Sequence, residues 1–158
     1  MRIEKVTDKI TLYNCDCMEY MKDIPDKYFD LAICDPPYGI GANKMTLGNG
    51  KTKIYRGASD WDKLPPPNEY FTELLRVSKN QIIWGANHFI SRMPIDSSCW
   101  VVWDKGTGDN DFADCELAWT SFGGSVRMYR PNKLKAQNKI HPTQKPEELY
   151  DWIFKKYA

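Results

Sequence analysis

The residues best suited to chemistry are Asp35-Pro36-Pro37-Tyr38, which follow a short apolar run, Leu31 to Cys34. An aromatic exocyclic amine carries two hydrogens and therefore needs two acceptors. The Asp35 carboxylate can provide one, and the Pro36 carbonyl the other, because proline fixes φ and hence the chain direction. Tyr38 offers a flat face on which a base can stack. The tetrapeptide predicts a site that holds an aromatic amine; the alternative is an ordinary turn that ends a strand.

The apolar run before Asp35 is typical of a buried strand, and the two prolines end it because they cannot donate to a sheet ladder. This position is the carboxyl end of a central strand, where open α/β sheets bind their ligands. Upstream, Lys9 to Asn14 alternates and is β-branched, which predicts a strand, and Met18 to Asp23 is predicted to be a short helix. The three elements together predict one βαβ unit and a parallel sheet.

Further elements follow along the chain. A helix is predicted over Asn68 to Ser78, with Asn68 as its cap, because its apolar residues recur at helical spacing. Three more strands are predicted, over Gln81 to Trp84, Cys99 to Trp103 and Glu116 to Phe122, and a last helix over Glu147 to Tyr157 that Pro146 begins. His88 follows the first of these strands without a visible acidic or cysteine partner, so we interpret it as a structural histidine.

The tetrapeptide at Asp35 resembles the catalytic motif of the amino-methyltransferases that methylate adenine N6 or cytosine N4 in DNA. The resemblance extends from Ile10 to Phe154 and includes the segment His141 to Pro146 (His-Pro-Thr-Gln-Lys-Pro) ahead of the last helix. It implies methyl transfer from S-adenosylmethionine to a flipped adenine in double-stranded DNA, as in restriction–modification systems. An acid at the first motif position is commoner among adenine enzymes, and cytosine N4 is the alternative target.

The resemblance also implies individual roles, and it implies no metal site. The catalytic residues would be Asp35, Pro36, Pro37 and Tyr38, and the cofactor-binding residues Asp16, Asp35, His141, Thr143 and Lys145. From the residues alone, Asp16 is equally well explained as the N-cap of the first helix.

The implied fold is a Rossmann-like α/β methyltransferase sheet, mostly parallel, in which the strand from Glu116 is antiparallel and lies at the edge. Residues 1–158 would form a single catalytic domain that ends before the Phe-x-Gly-x-Gly cofactor loop of the family. We therefore expect the cofactor-loop strands to be lacking and the isolated chain to bind S-adenosylmethionine poorly. We also expect one side of the Asp35 strand to be unpaired, which invites association of two chains along that edge. A non-catalytic fragment with residual DNA binding is the alternative function.

The net charge is only +1, but two stretches of the chain contain several basic residues and no acid. The first stretch lies in residues 39–67, which lack periodicity and are predicted to form a flexible loop over the target base. Such stretches suit a surface that faces phosphates, and solvated loops are the alternative. The residues predicted to contact DNA are Lys44, Lys51, Lys53, Arg56, Arg127 and Arg130.

The bulk composition excludes several other classes of protein. With 158 residues, 42% of them hydrophobic and 27% charged, the chain is a globular domain with a core of its own. Its five cysteines form no CxxC pair, so neither a disulfide framework nor a zinc site is predicted, and reduced thiols suit the cytoplasm. No apolar run approaches the roughly 18 residues that a membrane span needs, so no membrane insertion is expected.

Overall fold

The computed structural model describes residues 1–42, 60–93, 95–106, 113–131 and 143–158. These ranges contain both strands and helices, which makes the protein a mixed α/β domain. The strands are β1 (Arg2–Thr7), β2 (Ile10–Asn14), β3 (Phe29–Cys34), β4 (Ser78–Trp84), β5 (Trp100–Asp104), β6 (Cys115–Thr120) and β7 (Arg127–Tyr129). The helices are α1 (Cys17–Lys22), α2 (Asn68–Val77) and α3 (Glu147–Tyr157), with short 3-10 turns at Ala86–His88 and Ile90–Arg92.

The main sheet has the order β3-β4-β6-β5-β7. Strands β3 and β4 are parallel, as are β5 and β7, but β6 runs antiparallel to both of its neighbours. The expected mostly parallel sheet is therefore wrong, and so is the position of the antiparallel strand, which is interior rather than at the edge. The connection 105–114 is too short for the crossover that a parallel neighbour requires, so β6 folds back against β5.

The predicted βαβ unit is not formed, because β2 belongs to a separate sheet. It pairs antiparallel with β1, a strand that the sequence analysis did not predict, in the register Ile3↔Tyr13. The two strands are joined by Asp8 and Lys9, a two-residue connection that suits a hairpin. Every residue of both strands is exposed.

Strand β3 lies at an edge of the main sheet. Among the residues that the structure describes, it pairs with β4 alone, through a register that includes Leu31↔Asn80 and Ile33↔Ile82. This agrees with the expectation that the Asp35 strand has one unpaired side. Association of two chains through this edge remains a prediction.

Helix α2 packs on one face of the sheet through an amphipathic stripe. Phe71, Leu74 and Val77 are buried at a spacing of three residues, which places them on one side of the helix. They join Ile83 of β4 in one core cluster, and each buried side chain contributes about 1.5–3 kcal/mol. The expected cap at Asn68 is wrong by one residue: Asn68 is already helical, and Pro67 precedes it without a side-chain cap.

Helix α3 has the predicted bounds, Glu147 to Tyr157, and covers the opposite face of the sheet. Its buried residues Leu149 and Ile153 pack with Ile82, Trp84 and Val101. Because successive residues of β4 point to opposite faces, that strand supplies side chains to both cores. In the described part of the chain, no helix is long and apolar enough to cross a membrane.

Candidate active site at the carboxyl end of strand β3

The site forms where two parallel strands end side by side. Strand β3 runs directly into Asp35-Pro36-Pro37-Tyr38, and β4 runs into Gly85 and the 3-10 turn that contains His88. The Tyr38 ring stacks on the His88 ring with centroids 5.2 Å apart and an angle of 18° between the planes. The ring partner of His88 is therefore the aromatic residue of the tetrapeptide, and its predicted structural role stays a prediction.

Gly85 allows this stacking because it has no side chain. Its φ is +71°, and a Cβ atom at this position would lie 2.2 Å from Cε1 of Tyr38. Both the backbone conformation and the close approach therefore require glycine. The end of β4 consequently determines where the Tyr38 ring can lie.

Asp62 holds the backbone of the tetrapeptide from the other side. Its Oδ1 accepts hydrogen bonds from the backbone N–H groups of Tyr38, at 2.7 Å, and Gly39, at 2.9 Å. Its Oδ2 accepts from the N–H of Ala42 at 2.7 Å. The residue is only 1% exposed, so three donors satisfy a carboxylate that would otherwise be costly to bury. Asp62 therefore fixes the chain that follows Pro37.

The Asp35 carboxylate binds a lysine that arrives from the far end of the chain. Lys145 Nζ lies 2.7 Å from both Oδ1 and Oδ2 of Asp35 and 3.1 Å from the Tyr38 hydroxyl, which donates to Asp35 Oδ1 at 2.9 Å. The Lys145 side chain is 3% exposed, whereas that of Asp35 is 36% exposed. Asp35 can therefore be reached from solvent while its lysine cannot.

Glu116 completes the charged cluster from strand β6. Its Oε2 lies 3.1 Å from Lys145 Nζ, and its Oε1 lies 2.7 Å from Lys105 Nζ. Burial alone would raise the pKa of Glu116, but the charges of Lys145 and Lys105 outweigh burial and hold the pKa below its ordinary value. The two negative charges of the acids are thus matched by the two positive charges of the lysines.

The ammonium group of each lysine lies over the face of a tryptophan ring. Lys145 Nζ lies 5.2 Å from the centroid of Trp84, and Lys105 Nζ lies 5.4 Å from that of Trp103, both within cation–π range. Burial raises the pKa of the Tyr38 phenol, and the carboxylates of Asp35 and Glu116 raise it further. The hydroxyl therefore stays protonated and donates.

The structure brings together only some of the predicted site residues. Asp35, Pro36, Pro37, Tyr38 and Lys145 share one site. Thr143 precedes Lys145 by two residues, and His141 lies outside the described residues. Among the described residues, no group of three or more His, Cys, Asp or Glu side chains is placed to hold a metal ion.

Asp16 lies at the start of α1, where its Oδ1 accepts a hydrogen bond from the Met18 N–H at 2.8 Å. The N-cap interpretation is therefore confirmed, and a carboxylate that caps a helix keeps further acceptor sites. Its predicted role in cofactor binding stays a prediction.

The predicted DNA-contacting residues are divided. Lys44, Lys51, Lys53 and Arg56 lie outside the described residues, as does most of the predicted loop 39–67. Arg127 lies on β7, at the opposite edge of the sheet from β3, and the neighbouring Arg130 binds Asp104 at 2.7 Å. Arg127 and Arg130 are thus not part of the Asp35 site.

Four residues of the site were not predicted from the sequence: Glu116, Lys105, Asp62 and Gly85. Glu116 was assigned to a strand, and nothing in an alternating strand marks an acid whose side chain meets a lysine far along the chain. Gly85 carried the one usable signal, since a glycine directly after a strand indicates a close approach.

Part of the sequence is similar to a known protein. No protein-family profile matches the sequence. Over 88 residues, which are 56% of this chain, it is 31% identical to the type II methyltransferase M.BamHI of Bacillus amyloliquefaciens. The aligned stretch is 18% of that relative, so the chain spans less than a fifth of its length. The chain is therefore similar in part to a methyltransferase.

Gly85→Ala tests the contact between the ends of β3 and β4, with Gly41→Ala as a matched control. Both glycines have a φ of +71°, but a Cβ at position 41 meets no atom within 4 Å. Gly41→Ala should cost about 1–2 kcal/mol of unfolding free energy, through backbone strain. Gly85→Ala should cost roughly 1–3 kcal/mol more, because it displaces the Tyr38 ring. Urea unfolding measures both; equal losses would contradict this geometry.

Glu116→Gln tests the charged cluster through pH. Folding lowers the pKa of Glu116. The contribution of Glu116 to the free energy of unfolding is therefore complete when the pH is above its pKa in the unfolded chain, about 4.3, and it is lost as the pH falls through the lower pKa of the folded protein. The wild type should exceed Glu116→Gln by about 2 kcal/mol of unfolding free energy at neutral pH. The difference should shrink in acid, since glutamine resembles the protonated acid. The same measurements on exposed Glu69→Gln provide the control; a difference independent of pH would refute the ion pairs.

Proposed function

We propose that this chain carries the amine-binding site of an S-adenosylmethionine-dependent DNA methyltransferase that acts on adenine N6. One observation carries the proposal: Asp35 is an accessible carboxylate at the carboxyl end of β3, in a tetrapeptide whose tyrosine is held in place by the end of β4. The partial similarity to a type II methyltransferase supports the same reaction class. Cytosine N4 is the alternative target, since it presents the same kind of amine.

The target amine would donate its two hydrogens to an Asp35 oxygen and to the Pro36 carbonyl. Pulling on both hydrogens localises the nitrogen lone pair, which is otherwise delocalised into the ring. A carboxylate offers about four acceptor positions, of which Lys145 uses two and the Tyr38 hydroxyl one. Asp35 can therefore accept from the amine only by using its last position or by loosening its contact with Lys145.

S-adenosylmethionine supplies an electrophilic methyl group when it is bound. The amine nitrogen would form a bond to that methyl carbon while the methyl–sulfur bond breaks and the sulfur keeps the bonding electrons, and the amine would release one proton to solvent. Asp35 orients the lone pair and opposes the positive charge that develops on nitrogen. The neutral phenol of Tyr38 keeps the carboxylate in position through its hydrogen bond.

The residues proposed to hold the cofactor fit that role unequally. Asp16 is exposed and, beyond its helix cap, has acceptor capacity for donors of the adenosyl group. Lys145 is buried, and its ammonium contacts Asp35, Tyr38 and Glu116. We therefore assign Lys145 to positioning Asp35 and leave cofactor contacts to Asp16, Asp35, Thr143 and His141.

Asp35→Asn tests the proposed catalytic acid. The amide keeps the size of the side chain but lacks the charge that opposes the cation developing on nitrogen. Transfer of labelled methyl groups from S-adenosylmethionine to mixed-sequence DNA should fall by about 10² or more. Asp96→Asn, at an exposed site outside the cluster, should leave transfer unchanged. Near-normal transfer by a folded Asp35→Asn protein would refute the assignment, and an inactive wild type that still binds DNA would favour the non-catalytic alternative.

Salt dependence tests the proposed DNA contacts. If Lys44, Lys51, Lys53 and Arg56 face phosphates, the logarithm of the binding constant should fall linearly with the logarithm of salt concentration, by about one unit of slope per contact. Replacing the four by glutamine should flatten the slope, and replacing Arg127 and Arg130 tests the second stretch separately. An unchanged slope after the fourfold replacement would assign those residues to solvent.

A further inference from the structure

Glu116 has no task in the proposed reaction, yet it reaches into the Asp35 cluster from the middle of the sheet. We propose that Glu116 is a positioning residue that shares Lys145 with Asp35, so that Asp35 can turn one oxygen to the target amine. This inference rests on the proposed function and concerns how the amine gains access to Asp35.

The contacts of Lys145 create the need for such a residue. Both Asp35 oxygens lie 2.7 Å from Nζ, so the lysine competes directly with any amine for the carboxylate. An ammonium group has three N–H donors. Four oxygen atoms lie within 3.1 Å of Nζ, since Glu116 Oε2 and the Tyr38 hydroxyl add to the two of Asp35. One contact to Asp35 can therefore be given up without leaving a donor unpaired.

Burial makes the alternative acceptor necessary. The Lys145 side chain is 3% exposed and lies against the Trp84 ring, so water cannot readily replace a lost carboxylate contact. An unpaired donor on a buried charge is costly. Glu116 is the second carboxylate within reach of Nζ among the described residues. Without its charge, Lys145 would bind Asp35 more firmly and the amine would compete less well.

Lys105 keeps Glu116 suited to this task. It binds Oε1 at 2.7 Å and leaves Oε2 directed to Lys145, and the side chains of Lys105 and Glu116 are both 21% exposed. Lys105 also limits how strongly Glu116 attracts Lys145, because it neutralises part of the same charge. Removal of Lys105 should therefore draw Lys145 towards Glu116 and away from Asp35.

Binding to two oligonucleotides tests the proposal on the full chain. The probes are mixed-sequence single strands that contain adenine, and the same strands with purine, which lacks the exocyclic amine. Single strands avoid the cost of base flipping. The wild type should prefer adenine, and Glu116→Gln should reduce that preference by about tenfold, the value of roughly one hydrogen bond to a charged group. Lys105→Gln should increase the preference, and the exposed control Glu69→Gln should not change it.

A double variant separates positioning from a structural effect. Once Lys145→Gln has removed the competitor, adding Glu116→Gln should not reduce the preference further. An unchanged preference in folded Glu116→Gln, or equal losses for adenine and purine strands, would overturn the inference and leave the proposed function standing. If Glu116→Gln does not fold, Lys105→Gln decides alone, and a lower preference would overturn the inference. A wild type without any preference for adenine would overturn adenine N6 as the proposed target, and this inference with it.

Discussion

The ion pair between Lys145 and Asp35 is the interaction on which the site depends. Burying the Lys145 ammonium is costly, and its attraction to Asp35 offsets that cost only when the geometry is close and the remaining donors are satisfied. Both conditions hold, since Nζ contacts two oxygens of Asp35 at 2.7 Å and further oxygens of Tyr38 and Glu116. The pair also joins the end of β3 to the start of α3, two parts of the chain 110 residues apart.

The packing of α3 and the ion pair support each other. Leu149 and Ile153 are fully buried against the sheet, so the helix is held in place by its apolar face. Lys145 lies just before that helix, and the burial of α3 therefore delivers its ammonium to Asp35. Hydrophobic packing is non-directional. Here the packing of α3 against the sheet nevertheless determines the position of a charged group, the Lys145 ammonium.

The described surface includes an unpaired strand edge and an exposed apolar hairpin. Strand β3 presents an open edge, and the β1–β2 hairpin exposes Ile3, Leu12 and Ile10, each by more than half of its surface. A two-stranded hairpin is marginally stable by itself, and a contact of Tyr13 with Tyr20, at 4.6 Å between ring centroids, attaches this one to α1.

The sequence by itself determined most of the local elements and the place of the tetrapeptide Asp35-Pro36-Pro37-Tyr38 at the end of a strand. Two prolines after an apolar run end β3 at Asp35, and the helical spacing of Phe71 and Leu74 predicts part of the buried face of α2, because these effects act between near neighbours in the chain. Tertiary structure alone decided that β6 lies inside the sheet, that β2 leaves it, and that Glu116 and Asp62 reach the site. Periodicity reports which face of a strand is buried, but it does not report which strand lies beside it. The partners of Asp35 therefore became visible only once the strand order and the packing of α3 were known.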